Sequence, residues 1–88
     1  MNDRHIRKAA ALHYDQAKSM APRVVAKGKG FIAEQIIALA QQNDVPLYED
    51  RNLANVLEAL ELEAQIPAEL YRAVAEVLAF IYRLNGKL

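Results

Sequence analysis

Ser19 is the one serine of the chain, and there is no cysteine or threonine. A serine nucleophile needs a histidine base that is oriented by an acid. Ser19 would have to take His5 or His13, all within the amino-terminal quarter. It falls in the turn Asp15-Gln16-Ala17-Lys18-Ser19-Met20 rather than on a nucleophile elbow, so it reads as a solvated turn residue. Two histidines without a cysteine make a poor zinc donor set. Glu58, Glu61, Glu63, Glu69 and Glu76 are spaced as solvated helix and connector charges; general acid–base work would need one of a pair buried to raise its pKa. Gly28-Lys29-Gly30 has the look of a phosphate loop, but Phe31 stands where a Ser or Thr would hold magnesium. A plain turn is the better reading. No catalytic residue, cofactor or metal is expected.

The elements that would have to carry any site come from a chain of 88 residues, 53% hydrophobic and 25% charged. That composition excludes intrinsic disorder. A domain of this size buries about 60–65% of its unfolded surface, so one domain is expected: a basic arm at 1–8, the folded unit at 9–85 and a tail at 86–88. The longest apolar run, Val77 to Tyr82, is far too short to cross a bilayer, and no apolar signal core follows Met1. The expectation is a cytoplasmic protein that does not insert in a membrane. Net charge is zero, yet residues 1–30 hold seven bases against two acids, and residues 31–88 four bases against nine. A basic amino-terminal third can meet nucleic acid or an acidic protein. Only one aromatic residue, Tyr14, precedes Phe31 for stacking on bases, so nucleic-acid binding is the alternative and not the leading reading.

Ala9 to Tyr14 is an apolar run ambiguous between strand and helix. Pro22 opens a segment whose paired Val24 and Val25 favour strand, ending at Gly28. Ile32, Ile36, Leu39 and Ala40, broadened by Ile37, predict a helix over 31–42, stopped by Asn43-Asp44. Val45 to Glu49 reads as a short strand with Pro46 at its start or on an unpaired side. Asp50 can N-cap a second helix in which Leu53, Val56, Leu57 and Leu60 form one apolar stripe. Residues 61–66 suit a connector or short edge strand. Pro67 fits the first position of a last helix to about Leu84, with Leu70, Val74, Val77, Leu78 and Ile81 inward. Tyr71, Phe80 and Tyr82 flank that stripe, as added core or as an exposed patch. The expected fold is α/β: a small mixed sheet containing a βαβ unit (strand 23–26, helix 31–42, strand 45–48) surrounded by helices, its crossover right-handed.

Ala11-Leu12-His13-Tyr14, Ala21-Pro22-Arg23-Val24-Val25-Ala26-Lys27-Gly28, Val45-Pro46-Leu47 with Glu49, Ile66-Pro67 with Leu70-Tyr71, and Ala73 to Tyr82 together resemble the cytoplasmic C-terminal domain of the FlhB/YscU family of type III secretion and flagellar export proteins. The resemblance spans about residues 9–84. Family members carry a membrane domain before this one, so the expectation here is a free-standing relative. They also carry Asn-Pro-Thr-His, whose asparagine amide attacks its own backbone carbonyl and severs the chain. Arg4, His5, Ile6 and Arg7 occupy those positions, and no Asn-Pro occurs anywhere. The family's Pro-Pro before the middle helix is here Arg51-Asn52.

The resemblance implies a non-enzymatic protein-binding module related to the substrate-specificity switch. It would dock export-gate cytoplasmic domains or secretion substrates, as a monomer peripheral to the export apparatus. The family's docking patch maps to Ala21, Pro22, Ala75 and Leu78, with Arg23 and Lys27 as steering charges. Arginine has no side-chain amide to cyclise, so self-cleavage is not expected. Intact-mass measurement of purified protein should return the uncut chain; a fragment ending between Arg4 and Lys8 would overturn this.

Overall fold

The computed structural model describes residues 6–14 and 21–84, with the backbone alone for Tyr82 and Leu84. Arg4, His5 and Ser19 lie outside the described residues. β1 (Lys8–His13) and β2 (Arg23–Lys29) pair antiparallel in a two-stranded ribbon. The alanines of β1 have little strand preference of their own; pairing with β2 decides its conformation, and β2 runs on through Gly28. The register places Lys8 opposite Lys29, Ala10 opposite Lys27 and Ala11 opposite Ala26, then Leu12 opposite Val24. Val25 is therefore an extra, bulged residue.

Three helices and a 3-10 turn follow: α1 (Phe31–Gln42), α2 (Arg51–Glu58), the turn Ala68–Leu70, and α3 (Tyr71–Leu84). Asp50 caps α2 as expected, its carboxylate accepting from the Leu53 N–H at 3.1 Å. Pro67 sits one step earlier than expected. It precedes the 3-10 turn, which closes through Leu70 N–H to Pro67 C=O at 2.9 Å and leads into α3.

Cross-strand partners share a face of the ribbon, so Ala10, Leu12 and Val24 look one way. There Val24, Leu57, Ile66 and Val74 form the buried core, with Leu53, Leu60, Leu70 and Leu78 packed round it. α1 packs on both strands. Its buried Ala33 lies outside that cluster, and Ile32 lies against Gly28 on the opposite face. The layers are thus α1, ribbon, then α2 with α3.

The connector 63–66 adds a short stretch of antiparallel pairing to the other edge of β2. Glu63 N–H donates to Val24 C=O at 2.7 Å, Val24 N–H to Ala64 C=O at 3.2 Å, and Ile66 N–H to Pro22 C=O at 2.9 Å. Arg23 and Gln65 form a bridge.

Two expectations need correction. The domain is a mixed α/β fold, but among the described residues no strand forms at 45–48, so the βαβ crossover is absent. The cause lies at the end of α1. Asp44 turns left-handed at φ 57°, and Val45 N–H donates back to Ala40 C=O at 2.8 Å. This is the Schellman closure of a helix. It occupies the Val45 donor, and Pro46 has none, so the segment starts with no N–H free for a ladder. Tyr48 instead meets Phe80 of α3 edge-on, ring centres 5.2 Å apart. The second correction concerns α1, where Ile32 and Leu39 are exposed and Ala33 is the residue buried. Two strands make a surface no wider than the helix resting on it, so the flanks of the apolar stripe stay uncovered.

Gly28 is needed for close approach, since an added Cβ would lie 2.7 Å from Ile32 Cβ and collide with Ile32 Cγ2. Gly28→Ala should destabilise by about 1–3 kcal/mol in urea unfolding. Asp44→Gly should do the reverse. Glycine adopts the left-handed turn without the side-chain penalty, so a gain of about 0.5–1 kcal/mol is expected in the same assay.

Candidate functional site: an apolar groove beside α3

Pro22 is held twice. Its ring is buried, and its carbonyl accepts from Ile66. Ile66 in turn belongs to the core with Val74 of α3. This chain of contacts brings the start of β2 against α3, and between them lies a groove of about 300 Å³ lined by Tyr14, Ala21, Pro22, Tyr71, Val74, Ala75 and Leu78. Tyr71, Val74, Ala75 and Leu78 fall at helical spacing on one face of α3. Val74 forms the floor, at 2% exposure, while Tyr71 is half exposed at 50%. The lining holds no ionisable group other than the tyrosine hydroxyls. Such a surface offers shape and apolar area, which suits docking, and holds no acid–base pair or metal-binding set.

The four residues Ala21, Pro22, Ala75 and Leu78 meet in this groove. Arg23 and Lys27 do not join them. The bulge at Val25 turns the ribbon's alternation by one residue, so Arg23 (opposite His13) and Lys27 (opposite Ala10) lie on opposite faces. Arg23 Nε lies 3.4 Å from Glu63 Oε1, without the alignment of a hydrogen bond, and Nε has no other partner among the described residues. With these side chains 39% and 68% exposed, the contact is a screened charge pair of little energetic weight. Of the four positions aligned with the severed motif, Ile6 and Arg7 are exposed and lead into β1.

Tyr14 and Val74 belong to the groove although neither stood out as a site residue in the sequence. For Val74 the signal was present: it shares the i, i+3, i+4, i+7 stripe of Tyr71, Ala75 and Leu78. It reads equally as core, and it is both. Tyr14 had no such signal, because its nearness to α3 arises only through the fold. Tyr71 is resolved as an exposed groove wall, whereas the Tyr82 side chain lies outside what is described.

The sequence model of the FlhB HrpN YscU SpaS family matches residues 1–81. The chain belongs to this family. It is 51% identical over 80 residues to the uncharacterized protein YlqH of Bacillus subtilis (strain 168), covering 91% of this chain and 86% of that one. It is 47% identical over 78 residues to the flagellar biosynthetic protein FlhB of Escherichia coli (strain K12), covering 88% of this chain and 20% of FlhB. The match to FlhB thus spans about a fifth of that protein. Among solved structures, a point-mutated EscU C-terminal domain superposes with a TM-score of 0.78 at 30% identity, covering 85% of this chain and 92% of that one. The PscU C-terminal domain gives 0.78 at 27% identity, covering 84% and 95%. The fold is therefore that of the export-switch C-terminal domains, and no helix among the described residues is long and apolar enough to cross a membrane.

Proposed function

We propose that this FlhB-family domain is a non-enzymatic docking module of the flagellar or type III export apparatus, working on the cytoplasmic side. Its groove would receive a short apolar segment of an export substrate or of an export-gate cytoplasmic domain. The observation that carries this reading is the convergence of Ala21, Pro22, Ala75 and Leu78 on one groove, although they come from segments some fifty residues apart in the chain. Tyr14 and Tyr71 would act as its walls. Aromatic residues of this kind supply apolar area and a polar tip at little entropic cost, which favours them at interfaces.

A groove of this size buries far less than a stable interface requires, so binding should be transient and dissociate quickly. Arg23, next to Pro22 in sequence, would steer acidic partners; Lys27 lies farther along the ribbon, on its other face. Self-cleavage is not part of the proposal, because no Asn-Pro is present to cyclise.

The test is capture of purified export-gate cytoplasmic domains and early export substrates on the immobilised protein. Ala75→Asp, at an exposed groove position, should weaken capture at least tenfold with unchanged thermal stability. Tyr71→Ala should weaken it less. Pro22→Asp and Leu78→Asp should abolish it, with circular dichroism reporting whether each still folds. Equal capture by the wild type and Ala75→Asp would overturn the assignment.

A further inference from the structure

The outer edge of β1 is open to a further strand. Gly30 N–H donates to Arg7 C=O at 2.8 Å, and this bond sets the phase of the ladder, in which hydrogen-bonded and non-hydrogen-bonded pairs alternate. Arg7 and Ala9 therefore turn their backbone groups toward β2, and Lys8 and Ala10 turn theirs away from it. Those outward N–H and C=O groups have no backbone partner among the described residues. On β2 the outer edge is different: residues 63–66 pair with its first part, and Lys27 and Lys29 follow. α1 packs on one face of β1 and α2 on the other, which leaves the edge between them. Edge strands are commonly closed to pairing by a proline or a bulge. β1 carries neither, and Ala9, Ala10 and Ala11 are small enough for another strand to come close.

Charge decides what kind of chain fits there. Lys8 and Lys29 are direct cross-strand partners, and theirs is a non-hydrogen-bonded pair, in which side chains come closest. Like charges so placed destabilise the pair, and neither lysine forms an ion pair among the described residues. A carboxylate on a strand added beside Lys8 would offset that repulsion. A second copy pairing edge to edge cannot supply it, because Arg7 to His13 holds no acid. We propose that the outer edge of β1 receives an extended segment of a partner protein as an added strand, with a carboxylate of that segment beside Lys8. Main-chain hydrogen bonds supply the affinity in strand addition of this kind, and the contact with Lys8 selects the register. The inference does not depend on what the groove binds.

An amide-resolved NMR titration of the full chain tests it, the probe being a hexapeptide of alternating valine and threonine with a glutamate at one end. The amides of Lys8 and Ala10 should shift most, and their hydrogen exchange should slow. A lysine in place of the glutamate should weaken binding about fivefold. Lys8→Glu should reverse that preference, and it relieves the repulsion with Lys29, so the fold is not at risk. Ala10→Pro should abolish binding with little loss of thermal stability, because the N–H it removes points away from β2; Ala9→Pro should disrupt the ribbon. The groove variant Ala75→Asp should bind the peptide as the wild type does. Equal binding of the two peptides by the wild type overturns the proposal, and so does a titration that leaves Lys8 and Ala10 unmoved. A dimer in sedimentation equilibrium that Ala10→Pro dissolves would give the edge to a second copy and overturn it as well.

Discussion

The pairing of residues 63–66 with the start of β2 is the constraint on which the rest of the molecule depends. Three backbone hydrogen bonds link Glu63, Ala64 and Ile66 to Pro22 and Val24. They join two segments about forty residues apart and place Val24 and Ile66, the two most fully buried large side chains, side by side in the core. A two-stranded ribbon is marginal by itself; this third partner on β2, with helices on both faces, completes it. Because Pro67 and the 3-10 turn follow at once, the same contact sets where α3 begins and hence which of its residues face Pro22.

The groove is thus a by-product of how the core closes. Val74 serves both, packed against Val24 and Ile66 on one side and flooring the groove on the other. An apolar depression built on core contacts owes its floor to the packing that holds the fold. It is also coupled to stability: truncating Ile66 would leave a cavity in the core beside Val74, at a cost of about 2–5 kcal/mol. Core packing and groove shape cannot be separated there, whereas Ala75 and Tyr71 line the groove from exposed positions.

The bulge at Val25 has a comparable reach. One extra residue reverses the facing of everything before it, separating Arg23 from Lys27 and leaving Lys27 with Lys8 and Lys29 at the far end of the ribbon. The molecule in this way acquires two ends of different character, one apolar and concave, the other cationic.

Several features were legible in the residues alone because their causes are local. Helix 31–42 follows from its apolar spacing, and the Asp50 cap from a short carboxylate before a helical stripe. The family was legible too, through the Ala-Pro-Arg-Val-Val-Ala-Lys-Gly stretch and the run before Tyr82, and with it the four groove positions. What depended on contacts distant in the chain was not. The strand expected at 45–48 was lost because Val45 gives its N–H back to α1, a choice between two partners that spacing does not express. The exposure of Ile32 and Leu39 follows from the narrowness of a two-stranded ribbon. The joining of Tyr14 to α3, and the parting of Arg23 from Lys27, were decided by tertiary structure alone, since a single bulge and a single edge pairing determine which side chains can meet.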